Sequence, residues 1–207
     1  MFSYLPLNER WNVYTHGLGA LLSILGSFWL LTSTIFTSST AFWGCLIYGL
    51  SMIFLFSSSA IYHSQKIDNQ LFWQKIDHIG IYFLIAGSYT PVTLSILNDT
   101  SGPYLLVAVW SIALIGLIYK LYFIGRFQNL SLFLYLAMGW LVVFDIKNVY
   151  TLFPSTAFFY LVLGGAFYTL GTFFYRWEKL YFHHVIWHLF VLAGAFSHFM
   201  MVVNLVR

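Results

Sequence analysis

The sequence predicts an all-α membrane protein: a bundle of seven transmembrane helices, with the N-terminus cytoplasmic and the C-terminus outside. Three observations lead there. The 207-residue chain is 60% hydrophobic and only 7% charged, where soluble domains carry about a quarter of charged residues. Its apolar residues gather into seven runs near the length of about 20 residues that a bilayer-crossing helix requires. Lys and Arg are shared unevenly between the two ends of those runs.

The runs span residues 15–36, 41–62, 77–97, 103–123, 129–146, 155–175 and 181–204, separated wherever Gly, Pro, Asn, Ser or charge accumulates. The first follows a fourteen-residue polar start and lacks the basic-then-small layout of a cleaved signal peptide, so it reads as a retained helix. The third contains "AGSYTP", with Gly87 and Pro91 in mid-span, where the missing proline N–H predicts a bend. The sixth contains "LGGAFYTLG", whose Gly164, Gly165 and Gly171 allow close helix packing. Little chain remains outside the runs, so residues 1–207 form one domain without a separate soluble part. Cys45 is the only cysteine, which excludes an intramolecular disulfide and thiol-rich metal sites.

Cytoplasmic flanks of short loops collect Lys and Arg. With the N-terminus inside, those flanks hold Arg10, Lys66, Lys75, Lys120, Arg126, Arg176 and Lys179, against Lys147 and Arg207 on the outer side. Seven against two favours this orientation over the inverted one. A multi-pass inner-membrane protein is the expected setting.

Polar residues inside a bilayer are costly and by default face the bundle interior. His16 begins the first run, Ser59 and His63 end the second, Asp77 and His78 begin the third, and His184 and His188 begin the seventh. All of these ends lie on the cytoplasmic side, so residues far apart in sequence share one layer. His184 and His188 are i and i+4, on one helical face, the spacing by which paired imidazoles reach one metal ion. His183 points elsewhere. Ser59 and His63 repeat the i, i+4 relation, which makes a third ligand from the second helix geometrically reasonable. Three protein ligands plus water describe an open catalytic zinc; Asp77 is either a fourth ligand or the group that holds the water. His198 lies about 15 Å beyond His188 at the helical rise, too deep to share the metal, yet its rotation also turns it inward. Glu9, Asn12 and His16 fall at helical spacings of three and four, so a helical extension could close the cytoplasmic mouth.

The stretches "ERWNVYTHGLGA", "SSSAIYHSQK", "WQKIDHIGIYFLIAGSYTPV", "LSLFLYLAMGW" and "HHVIWHLFVLAGAFSHF", in that order, resemble the bacterial hemolysin III family. That family is related to the progestin and adiponectin receptors and, more distantly, to alkaline ceramidases. The resemblance covers nearly the whole chain and implies seven spans, a cytoplasmic N-terminus and a zinc ion beneath the cytoplasmic surface. It further implies that His63, His184 and His188 are the zinc ligands, and that Asp77 holds the water. Ser59 belongs to its Ser-x-x-x-His element, and Glu9, Asn12 and His16 match its N-terminal motif. The doubled histidine departs from the family pattern, in which Asn or Ser is commoner at the position of His183.

With zinc on those three imidazoles, hydrolysis of a lipid amide or ester is the expected chemistry. Asp77 would orient the water or take its proton, and Ser59 would donate to the developing oxyanion. The His-Glu-x-x-His pattern of soluble metalloproteases is missing, so a membrane lipid, as substrate or ligand, is expected rather than a peptide, and no nucleic acid. Three alternatives stand beside this reading: a membrane sensor or regulator in which the zinc only staples helices, a pore-forming or cytolytic protein, and a proton-handling one. The orientation is directly testable: a topology reporter fused at Arg207 is expected to read out on the outer side, and a cytoplasmic readout would invert the bundle.

Overall fold

A chain this apolar has no water in the bilayer to satisfy its backbone amides, so each segment must bond its own. The computed structural model describes residues 2–34 and 38–206, apart from the side chains of Ile67 and Asp68. Residues 35 and 36 of the expected first helix, and Arg207, therefore lie outside the described residues. Among the described residues the regular structure is helical throughout, with no strand. The helices are α1 (Leu7–Thr34), α2 (Ser39–Ser64), α3 (Ile67–Leu94), α4 (Gly102–Phe123), α5 (Gln128–Gly139), α6 (Ile146–Leu152), α7 (Ser155–Arg176) and α8 (His183–Val206), with a 3₁₀ stretch, Trp140–Asp145, joining α5 to α6.

α1, α2, α3, α5, α7 and α8 form a closed ring, with α4 packed against α3. α1 packs on α2, α2 on α3 and α3 on α4; α5 touches α3 and α7, α7 packs on α8, and α8 returns to α1. α8 also reaches α2 and α3 across the interior. Among the described residues six units are long and apolar enough to cross a membrane: α1, α2, α4, the α5–α6 unit Gln128–Leu152, α7 and α8. The protein is thus a multi-pass integral membrane protein. α3 is as long as α1, at 28 residues, and packs between α2 and α4. It is not one of the six, and it carries Gln74, Lys75, Asp77, His78, Ser88, Thr90 and Thr93.

Two helices begin well before their apolar runs. α1 starts at Leu7 rather than at residue 15, and α3 at Ile67 rather than at residue 77. Hydropathy marks where lipid begins, whereas the helix continues as long as its polar residues find partners. The first turns of α1 do so: Glu9 pairs with His63 of α2 (2.7 Å), and the Tyr4 hydroxyl just ahead of the helix donates to the Ser64 carbonyl at the end of α2 (2.8 Å).

The expected helix 129–146 is instead the broken unit α5–3₁₀–α6. The break has a visible cause in Tyr89 of α3, whose hydroxyl inserts into the backbone ladder. It accepts from the Val142 N–H (2.9 Å) and donates to the Gly139 carbonyl (2.8 Å). A side chain inserted in this way is a recognised origin of a local helix break. Pro91 stays within α3. A Cβ at Gly44 would sit 2.7 Å from the Pro91 Cα, so the bare glycine lets the α2 and α3 backbones touch. Small residues act similarly between α7 and α8. A Cβ at Gly164 would collide with the His198 ring and one at Gly171 with Trp187 and Phe190, while Gly165 faces nothing within 4 Å. Tyr89→Phe removes the hydroxyl and strands both backbone groups, so it is expected to lower stability by about 1–3 kcal/mol, read as an earlier thermal unfolding midpoint in detergent.

Candidate metal centre

One end of the bundle gathers the starts of α1, α3, α5 and α8 and the ends of α2, α4 and α7. The last turn of α2 presents His63 there, and the first two turns of α8 present His184 and His188. Each of the three offers a ring nitrogen, and these atoms all lie within 4.8 Å of one another. The ring centroids are 4.8–5.0 Å apart. Among the described residues this group of three histidines could hold a metal ion.

Hydrogen bonds on the outer edges of two rings select their tautomers. His63 Nδ1 donates to Glu9 Oε2 at 2.7 Å, and the Asn12 amide nitrogen lies 3.4 Å from the same atom. Thr15 Oγ1 sits 3.2 Å from His188 Nδ1. That hydroxyl spends its proton on the carbonyls of Trp11 and Asn12 (2.8 and 3.0 Å), so its oxygen is free to accept from the imidazole. Both rings then carry hydrogen on Nδ1 and a bare lone pair on Nε2. His63 Nε2 is buried without a hydrogen-bond partner. A buried lone pair beside two other imidazoles is the arrangement a metal satisfies, and a carboxylate on the far nitrogen is the customary outer support of such a ligand. The residues present therefore fit a divalent ion, and His63, His184 and His188 are the groups that would hold it.

The other expected residues fall into two sets. Ser59, Asp77 and His16 line the same cavity as His184 and His188, and Ser59 is 1% exposed. Asp77 lies outside the group of three, with Oδ2 3.3 Å from His78 Nδ1, a position from which it faces the cavity instead of completing the ligand set. The His16 ring stacks on His188 at 3.5 Å with an interplanar angle of 10°, and both of its nitrogens are buried and unpartnered. Glu9 and Asn12 reach His63 from α1, a contact that the helical spacing of the N-terminal stretch permits but does not predict. His183 and His198 stay apart. His183 is absent from the group, and His198 packs against Gly164 and Tyr168 further along α8, its Nε2 buried without a partner.

The cavity encloses about 220 Å³. It extends from the histidine end towards Val92, Phe153 and Met201, with His198 beside them. Its surface is mostly apolar beyond the histidines. Sequence reasoning missed Thr15, which stands beside a histidine it does not touch and supports another one on a distant helix. It also missed Lys120, read from its place near a helix end as part of the cytoplasmic flank. Lys120 is 2% exposed and lines the cavity. Its lone charge within "LIGLIYKLYF" was the available signal.

A helical multi-pass membrane protein with three imidazoles gathered at one end of the bundle is the class that fold and site define. The chain belongs to the family described as Haemolysin-III related, whose family model matches residues 4–199. It is 44% identical over 192 residues to the Hemolysin-3 homolog of Bacillus subtilis, covering 91% of this chain and 89% of that one. It is 39% identical over 188 residues to Hemolysin-3 of Bacillus cereus, covering 89% and 85%. The human Monocyte to macrophage differentiation factor is 31% identical over 201 residues, covering 91% and 80%.

Metal titration of the purified protein is expected to find a site that His188→Ala abolishes. Glu9→Gln should weaken it by about ten- to a hundredfold, the usual cost of losing an outer-sphere partner. Full retention of metal by His188→Ala would rule the cluster out.

Proposed function

We propose that the chain is a zinc-dependent hydrolase of acyl lipids, acting on an amide or ester bond at the histidine end of the cavity. The observation that carries the reading is that His184 and His188 of the imidazole group line one largely apolar cavity together with Asp77 and Ser59. Zinc is favoured as the ion because three neutral imidazoles with room for water match its open catalytic coordination.

Zinc held there would supply Lewis acidity and a water whose pKa is lowered towards about 7. The chain's own residues do the rest. Asp77 accepts the proton of the attacking water on a carboxylate oxygen, with Oδ2 beside His78, whose Nδ1 is bonded to the Gln74 carbonyl (2.9 Å). The Ser59 hydroxyl donates to the oxygen of the scissile carbonyl as charge develops on it. Glu9 and Thr15 keep the His63 and His188 rings turned so that Nε2 faces inward. The apolar length of the cavity takes the acyl chain, which enters from the bilayer and not from water.

In the membrane, α3 is the seventh span, its polar residues shielded between α2 and α4. The positive-inside bias then puts the N-terminus and the histidine end in the cytoplasm and the C-terminus outside. The test is release of fatty acid from a panel of amide- and ester-linked lipids by metal-loaded protein. Asp77→Asn is expected to lower turnover by about 10²–10⁴-fold and Ser59→Ala by about 10²–10³-fold, both with zinc retained. A fully zinc-loaded protein with no turnover on the panel would leave the metal as a helix staple and overturn the hydrolase.

A further inference from the structure

We infer that Lys120 and Ser131 form an anion subsite in the cavity, which selects an acyl lipid whose headgroup carries a phosphate or carboxylate. The inference rests on the hydrolase reading for the presence of a lipid, and goes beyond it in assigning that lipid a charge.

Burying a lysine in a membrane bundle is costly unless it is paired or faces a polar cavity. Lys120 is buried on α4, and its Nζ donates to Ser131 Oγ of α5 at 2.7 Å. An ammonium has three hydrogens to donate, and this bond uses one. The rings of Tyr119 and Tyr135 lie 5.8 Å from Nζ, which eases the charge electrostatically without accepting it. Among the described residues the ion pairs within 4.0 Å join Glu9 to His63 and Asp77 to His78. Lys120 is in neither. Asp77 lines the same cavity and its charge is felt at Lys120, but it makes no contact with Nζ within 4.0 Å and its Oδ2 lies 3.3 Å from His78 Nδ1. The charge on Lys120 therefore opens on the cavity without a carboxylate at bonding distance.

Local structure holds the pair in place. The chain reverses between α4 and α5 through Gly125 and Phe127, both with positive φ (75° and 51°). Glycine adopts that conformation freely, whereas phenylalanine pays strain for it. The tight reversal sets the last turn of α4 beside the first turn of α5, so Lys120 faces Ser131. Gly125 and Gln128 continue the cavity wall from the same turn. Further around the wall, on α3, stand Asp77 and His78, and the Tyr135 hydroxyl ties α5 to the His78 carbonyl at 2.9 Å. The subsite thus lies at the histidine end of the cavity, on the opposite side of the ring of helices from α1. A lipid with its tail in the apolar length and its reacting carbonyl at the histidines would bring its headgroup to this end.

A matched pair of ligands isolates the charge: 1-oleoyl lysophosphatidate and 1-oleoylglycerol, identical but for the phosphate. Equilibrium binding of each, radiolabelled, is measured on purified full-length protein stripped of metal by chelation, so that turnover plays no part. The wild type is expected to bind the phosphate lipid about ten- to a hundredfold tighter, the range of a charge-assisted hydrogen-bond set. Lys120→Met should bring the two affinities together while leaving that for 1-oleoylglycerol unchanged. Lys120→Arg should keep most of the preference, and Ser131→Ala should reduce it severalfold. Oleate should compete with the phosphate lipid in the wild type and lose that advantage in Lys120→Met. Equal binding of the two lipids by the wild type overturns the subsite, whatever the variants do, so a Lys120→Met protein that fails to fold does not protect the inference. Displacement of the phosphate lipid by inorganic phosphate at equal concentration would assign the site to a soluble anion and overturn its lipid source. A charge preference without hydrolysis of any lipid leaves the subsite standing and removes the hydrolase; hydrolysis of neutral lipids without a charge preference does the reverse.

Discussion

The bond from His63 Nδ1 to Glu9 Oε2, 2.7 Å long, is the contact on which the histidine end of this bundle depends. It pairs one of the chain's few acids with a buried imidazole and assigns the imidazole's proton to the outer nitrogen. His63 is buried and would be costly to leave unpaired, whereas the Glu9 side chain stays 32% exposed and supplies the partner from the rim. The consequence reaches beyond two residues. Glu9 can lie against α2 only if the first turns of α1 are helical, and those turns also bring Asn12 beside His63 and Thr15 beside His188. α1 therefore contributes none of the three clustered imidazoles but braces two of them.

The same economy governs the rest of the interior. Hydroxyls near helix carbonyls bond to them, as Thr90 does to Ala86 and Thr93 to Tyr89, and Tyr89 goes further by replacing a backbone partner in the neighbouring unit. Glycines sit where backbones or rings must approach, at Gly44 against Pro91 and at Gly164 against His198. Part of what remains unsatisfied gathers at one site. His16, His63 Nε2 and Asn12 Oδ1 carry buried atoms without partners around the cluster, and Lys120 faces the cavity with a single bond. Unpartnered buried atoms also occur at Ser27, Tyr82, His183 and His198; those around the cluster stand out because they adjoin the imidazole group and its cavity, where something from outside the fold can be bound.

Much of this was legible from periodicity. The apolar runs mark the positions of the long helices, except that the run 129–146 is a broken unit, and the i, i+4 spacing separates His184 and His188 from His183. The spacing of Glu9, Asn12 and His16 signalled a helical start to α1. Other features had no local signature. Lys120 looks like any flanking lysine near a helix end, since nothing in "IYKLYF" tells which side of the helix meets lipid. Nor does "GWLVVF" reveal that a tyrosine some fifty residues earlier will open the helix at Trp140–Asp145.

Composition and spacing by themselves determined that this chain is a helical membrane protein, which helices carry its histidines, and that His63, His184 and His188 fall in one layer while His198 lies deeper. They could do so because depth and helical face are properties of a single segment, set by hydropathy and by 3.6 residues per turn. Only the tertiary structure decided which faces meet: that Glu9 and Thr15 brace the imidazoles, that His16 stacks on His188, that Asp77 stands outside the group of three, and that Lys120 looks into the cavity. Those are relations between helices, and rotation of one helix about its axis, which the sequence of that helix barely constrains, is resolved by packing and by the need to pair each buried polar group.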